Sequence, residues 1–144
     1  MTKILRPQGF VVDASVVLKW FSQSSEEDLK SALRLREDYR KRDIDILAPN
    51  VLIYEAVNVL RYKDIVEDMI AKAVASLYAM DILIPVGTDT MTEAIRLARR
   101  FDVTVYDSVY LSLALSCGCR LLTADRQFFR KLSKMPGVMH ISGY

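Results

Sequence analysis

The sequence predicts an α/β fold with three layers, in which helices cover both faces of a central, mostly parallel sheet. Short apolar segments of strand length alternate with longer segments of helical character along the chain. Strands separated by helices pair in parallel through right-handed crossovers, which place helices on both faces of the sheet. The chain has 144 residues, of which 51% are hydrophobic, and this suits one core. We therefore expect a single domain over residues 1–144.

The strands are predicted from short apolar runs, and the helices from amphipathic or continuously apolar stretches. Five strands are expected, the last of them at a sheet edge, at residues 10–12, 44–48, 82–86, 120–123 and 138–141. Seven helices are expected, at residues 14–21, 26–41, 49–62, 65–80, 90–101, 104–117 and 126–134. Residues that favour helix N-termini mark four of the starts. These are Ser24 or Ser25 for the second helix, Pro49 for the third, Asp89 for the fifth and Thr104 for the sixth.

Composition favours a soluble intracellular protein. Arg6, Pro7 and Gln8 interrupt the N-terminal segment before an apolar signal-peptide core can form. No apolar run approaches the length of about 18 residues that a membrane span needs, so we expect a cytoplasmic protein without a membrane partner. The net charge of +2 does not by itself indicate a nucleic-acid partner.

Cys117 and Cys119 flank Gly118, and the only histidine is His140. These residues cannot supply the four ligands of an ordinary tetrahedral zinc site. We expect two small buried thiols beside a strand, with a redox role as the alternative.

Asp13 and Asp125 each follow a predicted strand. In open parallel sheets, ligands bind beyond the carboxyl ends of the strands, where the loops diverge and leave a crevice. Both carboxylates are therefore expected to project into that crevice. The alternative is that each aspartate only caps the helix that follows it.

Glu55 lies inside a helix that is apolar almost all round, where a charge is costly without a partner. Asn58, three residues later, shares its helix face and completes a small polar island suited to a metal or a bound water. The alternative is a glutamate at the rim of the core that pairs with an arginine.

Asp107 follows Thr104 at the spacing of a capping box, which would explain the acid without any ligand. However, Asp107, Tyr110, Leu111 and Ala114 share one helix face, which otherwise points inward. An acid at the buried mouth of a helix is well placed to face the strand-end crevice.

Four segments surround these acids. They are Val11-Val12-Asp13-Ala14-Ser15, Tyr54-Glu55-Ala56-Val57-Asn58-Val59-Leu60, Tyr106-Asp107-Ser108-Val109-Tyr110-Leu111-Ser112-Leu113-Ala114 and Leu121-Leu122-Thr123-Ala124-Asp125. In this order they resemble the four acidic motifs of the PIN domain. Each motif alone is a weak match, but the four together resemble the family over residues 11–128, and the chain length is similar to that of VapC-type toxins. The resemblance implies a three-layer, PIN-like fold.

The resemblance also implies that four acids form the catalytic, metal-binding carboxylate cluster of the family, namely Asp13, Glu55, Asp107 and Asp125. We expect Mg²⁺ or Mn²⁺ as the cofactor, because these ions prefer hard oxygen ligands and retain waters. The first three acids are expected as the main ligands, and the fourth as a ligand through water or to a second ion. Three polar neighbours are expected to give supporting contacts: Ser15, Asn58 and Thr123.

The expected reaction is hydrolysis of RNA phosphodiester bonds by a water that the metal activates. The single histidine cannot supply the histidine pair of metal-free ribonucleases. Three cations on elements that begin beside the acids are candidates for binding the RNA backbone: Lys19, Arg126 and Arg130. The alternative is that these side chains are ordinary solvated charges.

Similarity to VapC-type toxins implies a VapB-like antitoxin as a partner and a homodimer. Three alternatives stay open: a housekeeping PIN nuclease of RNA maturation or decay, a non-catalytic RNA-binding PIN scaffold, and a phosphate-transfer enzyme on another α/β fold. The presence of all four acids disfavours the scaffold. A phosphate-transfer enzyme that used Asp13 as its nucleophile would need a second acid two residues later, where this chain has Ser15.

Overall fold

Within residues 8–21 and 27–144, which the computed structural model describes, five strands form one central sheet. They are β1 (Gly9–Val12), β2 (Asp45–Pro49), β3 (Leu83–Ile84), β4 (Arg120–Thr123) and β5 (Val138–His140). Their order across the sheet is β3-β2-β1-β4-β5, and every neighbouring pair is parallel. The predicted α/β class is confirmed, and so is the edge position of the last strand.

Seven α-helices connect the strands within the same described ranges. They are α1 (Ala14–Lys19), α2 (Leu29–Arg40), α3 (Val51–Leu60), α4 (Glu67–Ala79), α5 (Thr88–Phe101), α6 (Val105–Cys117) and α7 (Arg126–Lys131), and a 3₁₀ turn (Ile141–Gly143) follows β5. Helix α1 packs against α2 and α3, and α3 packs against α4, whereas α5 packs against α6. Right-handed crossovers place these two groups on opposite faces of the sheet, as expected for three layers. None of the described helices is long and apolar enough to cross a membrane.

The central strands are buried on both faces because helices cover both sides of the sheet. Val11 and Val12 of β1 and Leu121 and Leu122 of β4 are completely inaccessible to solvent. Helix α6 packs against β1, β2 and β4, and its residues 108–114 are all buried. This packing fixes α6 across the centre of the sheet, so that its first turn lies at the carboxyl ends of the strands.

Three predicted helix starts differ from the structure. Helix α2 begins at Leu29 and not at residue 26, after Asp28 in a left-handed conformation; Ser24 and Ser25 lie outside the described residues. Pro49 is the last residue of β2 and not the first of a helix, because β2 pairs with β3 as far as the Pro49–Ile84 register. Asp89 lies inside the first turn of α5 and the N-cap is Gly87, so the aspartate acts on the helix dipole and not as a cap.

The two cysteines lie on either side of the turn that joins α6 to β4. Both are free thiols, and both are half-buried, which is less than the full burial predicted. Gly118 between them ends α6 in a left-handed conformation, with φ +65°, which glycine adopts without the strain that a Cβ would add.

Candidate functional site

Asp13 and Asp125 lie at the ends of neighbouring strands. The connection after β1 leads towards β2 and the connection after β4 leads towards β5, so the two segments diverge, and this divergence leaves a crevice at the sheet edge. Val12 is in register with Leu122, and the Asp13 amide donates a hydrogen bond to the Leu122 carbonyl at 3.3 Å. The structure therefore brings both acids to the same edge, as the sequence predicted.

Two hydroxyl groups tie Asp13 to the end of β4. The Ser15 hydroxyl donates a hydrogen bond to Asp13 Oδ1 at 2.5 Å and accepts one from the Ala124 amide at 2.8 Å. Thr123 is fully buried, its hydroxyl lies 3.3 Å from the Ser15 hydroxyl and lowers the pKa of Asp13, and it accepts from the Asp125 amide at 3.0 Å. Ser15 and Thr123, both expected as supporting residues, thus connect the first acid to the loop that carries the fourth.

Both strand-end acids also cap helices, as the alternative reading proposed. Asp13 accepts from the Val16 amide at 3.3 Å at the start of α1, and Asp125 accepts from the Phe128 amide at 3.0 Å at the start of α7. A carboxylate has two oxygens and several lone pairs, so a cap leaves capacity for a further ligand. Capping therefore orients these carboxylates without excluding a second role.

Glu55 accepts a hydrogen bond from the hydroxyl of Tyr110 at 3.0 Å, and among the described residues no arginine takes the partner role of the alternative reading. The bond joins α3 to α6. Tyr110 is completely inaccessible to solvent, and burial and the surrounding carboxylates raise the pKa of its hydroxyl far above the usual range. It is therefore a permanent donor to Glu55. Asn58 is exposed and lines the same cavity as Glu55.

Sequence reasoning missed Tyr110 as a site residue, although it placed Tyr110 on the same inward helix face as Asp107. The available signal was its hydroxyl, since a tyrosine on a buried face needs a hydrogen-bond partner.

Asp107 interacts electrostatically with each of the other three acids. Its amide donates to the Thr104 hydroxyl at 3.1 Å, which is one half of the predicted capping box. Its charge raises the pKa of both Asp13 and Glu55, and the charge of Asp125 raises the pKa of Asp107 itself. The four acids are thus close enough to interact electrostatically, with Asp107 common to every pair named.

Burial is the main cause of the shifted acid pKa values. It raises the pKa of Asp13, which is 5% exposed, from 3.8 to about 6, although hydrogen bonds from Ser15, Thr123 and Val16 oppose the shift. Burial likewise raises the pKa of Glu55 and of Asp107, against hydrogen bonds with Tyr110 and Thr104 respectively. Negative charge at this edge of the sheet is therefore destabilising unless a cation compensates for it.

Two open cavities meet at Asp107. One, of about 390 Å³, is lined by Asp107, Asp125 and Lys131 among others. The second, of about 620 Å³, is lined by Glu55 and Asp107 among others, and Thr104 also borders both. Together the cavities give solvent access to three of the four acids.

The three cations predicted to bind the RNA backbone lie among the described residues, and their binding role stays a prediction. Lys19 donates to the Glu27 carbonyl at 2.8 Å, and Arg126 pairs with Glu27 at 2.6 Å and with Asp28 at 3.5 Å. Arg130 is exposed on α7.

Lys131, which sequence reasoning passed over, lines the cavity with Asp107 and Asp125 and lowers the pKa of Asp107. It is held in place by a 2.6 Å hydrogen bond to the Asp102 carbonyl. Nothing in the sequence distinguishes it from the other cations of its helix.

The acidic side chains of the described residues do not converge on one point. Among residues 8–21 and 27–144, no three His, Cys, Asp or Glu side chains are grouped so that they could hold a metal ion. The donor chemistry nevertheless fits a hard divalent cation, because the acids supply oxygen ligands and repel one another. The metal-binding role of the four acids stays a prediction.

The comparisons with known proteins decide the family. The model of the PIN domain matches residues 10–134, which include all four acids. The chain belongs to the PIN domain family. Among curated proteins, a sequence search found no match.

Solved structures share this PIN fold at low sequence identity. A protein from Pyrobaculum aerophilum has a TM-score of 0.70 at 20% identity, covering 94% of this chain and 85% of the other. A toxin–antitoxin complex from Klebsiella pneumoniae gives 0.67 at 14% identity, covering 91% and 96%. The sarcin–ricin-loop-cleaving toxin VapC20 of Mycobacterium tuberculosis gives 0.65 at 15% identity, covering 84% and 93%. At these identities the likeness shows the fold alone.

The raised pKa of Asp13 predicts how stability depends on pH when no metal is present. Between pH 3.8 and about 6 the folded chain retains the Asp13 proton, whereas the unfolded chain releases it. The free energy of unfolding should therefore fall as pH rises through this window, by about 3 kcal/mol. Asp13→Asn carries no such charge. In urea unfolding with chelator, we expect the variant to exceed the wild type in stability at pH 7.5, with the gap closing towards pH 4.

Asp68→Asn, at an exposed position in the first turn of α4, is the matched control for this experiment. It should follow the wild-type pH curve. The burial argument fails if Asp13→Asn follows that curve as well.

Removal of the Tyr110 hydroxyl should uncouple α3 from α6 at Glu55. In Tyr110→Phe the ring still fills its buried space, but the Glu55 carboxylate loses its donor. We expect the free energy of unfolding at pH 7.5 to fall by about 1–2 kcal/mol. A double-mutant cycle with Glu55→Met, which removes both acceptor oxygens, should give a non-zero coupling energy in urea unfolding. Strict additivity of the two changes would show that the hydrogen bond contributes nothing.

Proposed function

We propose that this PIN domain is a divalent-metal-dependent endoribonuclease, and that it is the toxin of a VapBC-type toxin–antitoxin pair. The observation that carries the proposal is that a chain of this family has an acid in each of the four segments that resemble the PIN motifs, and that Asp107 interacts electrostatically with each of the other three acids. Loss of any one acid would have favoured a binding scaffold.

The proposed cofactor is Mg²⁺ or Mn²⁺, held mainly by Asp13, Glu55 and Asp107, with Asp125 as a further ligand. Burial raises the pKa of each of these first three groups, so a bound cation would relieve a cost that the fold otherwise carries. When bound, such an ion neutralises charge on a scissile phosphate and lowers the pKa of attacking water.

The chain's own residues would prepare the acids for this reaction. Ser15 and Thr123 hold the Asp13 carboxylate against the end of β4, and Tyr110 fixes one oxygen of Glu55. Lys131 places a positive charge in the cavity beside Asp107 and Asp125, where a phosphate oxygen of the substrate could be received.

The toxin assignment is supported by structures of the same fold. One is described as a toxin–antitoxin complex and another as a toxin that cleaves the sarcin–ricin loop. By this analogy we propose a VapB-like antitoxin as the protein partner, a homodimer as the assembly and the cytoplasm as the compartment. A housekeeping PIN nuclease would use the same acids, so only the partner distinguishes the two functions.

The nuclease proposal is tested by RNA cleavage in vitro. The wild-type chain with Mg²⁺ or Mn²⁺ should cut a labelled single-stranded RNA, and chelator should abolish the cutting. Asp13→Asn should lower the rate by at least about 100-fold, because it removes a ligand charge without removing the side-chain volume. Asp68→Asn serves as the exposed control and should cut at the wild-type rate. Full activity in chelator, or in Asp13→Asn, would defeat the proposal.

The toxin proposal is tested by growth. Induced expression of the wild-type chain should arrest bacterial cells, and co-expression of the protein encoded by the neighbouring gene should restore growth. Asp13→Asn, produced at the same level, should not arrest growth. If the wild-type chain cuts RNA in vitro but leaves growth unaffected in every strain, the housekeeping function is favoured.

A further inference from the structure

Two exposed tyrosines border the larger acidic cavity. Tyr54 is 76% exposed and Tyr106 is 64% exposed, although both rings are large and apolar. Tyr54 precedes Glu55 on α3, and Tyr106 precedes Asp107 on α6. Each wall of the cavity therefore presents one carboxylate and one aromatic ring, and the two walls come from different helices.

Neither ring has a role in packing the core, since most of its surface faces solvent. Tyr62 and Tyr78 are similarly exposed, so exposure alone does not set these rings apart. Tyr54 and Tyr106 differ in that both border one cavity. The cavity volume of about 620 Å³ is in the range of sites that hold small molecules or single nucleotides.

The charged and aromatic side chains that line the cavity determine which part of a ligand can bind there. In the absence of a bound cation, the carboxylates of Glu55 and Asp107 repel phosphate groups, but a nucleobase carries no charge and approaches them without that cost. Aromatic side chains bind unpaired bases by stacking, and they do so with little preference among bases. The faces of bases in a duplex are already occupied by their neighbours, so stacking of this kind needs an unpaired strand.

We infer that Tyr54 and Tyr106 form a stacking platform that holds unpaired RNA bases beside the acids. This inference rests on the proposed function, because it assigns positioning residues for the substrate of the same site. The tyrosines are positioning residues: they bind bases, while the acids act at the phosphodiester bond.

The experiment measures cleavage and binding in parallel. Cleavage of one labelled RNA is compared as a single strand and as a duplex, for Tyr54→Ala, Tyr106→Ala and the corresponding Phe variants. Each Ala variant should lose roughly tenfold in kcat/KM on the single strand, mostly through KM. Each Phe variant should stay within about twofold of wild type, because the ring remains.

Tyr78→Ala is the matched control. Tyr78 is 60% exposed on α4 and does not border the acidic cavity. Its loss should leave kcat/KM and the preference for single strands unchanged.

Binding is measured separately by fluorescence anisotropy without divalent metal. The probes are a single-stranded RNA and an oligomer of equal length in which abasic sites replace the bases. The wild-type chain should prefer the RNA, and the Ala variants should lose that preference. Sedimentation of each variant reports whether the rings instead support contact between two protein chains.

The outcomes separate the two proposals. If the wild-type chain cuts no RNA with any divalent metal, the proposed function fails, while the abasic comparison still tests the platform. If it cuts RNA and the Ala variants cut single strands as well as it does, the platform is wrong and the nuclease stands. Ala variants that change the solution mass but keep the preference for bases would assign this surface to a protein partner and overturn the inference.

Discussion

The parallel pairing of β1 with β4 is the contact on which the candidate site depends. It sets Val12 beside Leu122 and so delivers Asp13 and Thr123 to the same point at the sheet edge. The connection after β1 leads towards β2 and the connection after β4 leads towards β5. Because these connections run in opposite directions, neither crosses the edge between the two strands. Ser15 then closes the gap with hydrogen bonds to both sides. A shift of register by one residue would turn Asp13 to the other face and break this arrangement.

Burial of the acids lowers the stability of the fold when they are charged. Neutral polar groups, the hydroxyls of Ser15, Thr123 and Tyr110, hold two of the acids in place without neutralising them. Lys131 supplies the positive charge that lowers the pKa of Asp107. This arrangement resembles other functional sites, where stability is given up locally so that a ligand can restore it.

The acids could be selected as candidates from sequence because two of them stand out in their own segments. Asp13 ends an apolar run, and Glu55 interrupts a helix that is otherwise apolar. The family resemblance then joined the separate anomalies into one hypothesis. Strand and helix types were predictable for the same local reason, since each depends on the periodicity of neighbouring residues.

What could not be predicted depends on contacts between distant segments. The bond between Tyr110 and Glu55 joins residues 55 positions apart, and neither residue type specifies the other. Lys131 could not be separated from other exposed cations without knowing which cavity it borders. The local preference of Pro49 favours the first turn of a helix, whereas pairing with β3 extends the strand through it.

The use of Asp13 and Asp125 as helix caps has a dynamic consequence. Helices α1 and α7 have only six residues each, so the cap stabilises a large share of each helix. The first-turn amide bonds to Oδ1 of each carboxylate, so a ligand on Oδ2 alone leaves the cap in place, whereas a ligand that takes both oxygens weakens it. Occupancy of the sheet edge is thereby linked to the stability of the first turns of two short helices, and amide hydrogen exchange at Val16 and Phe128 would record it as a local change in protection.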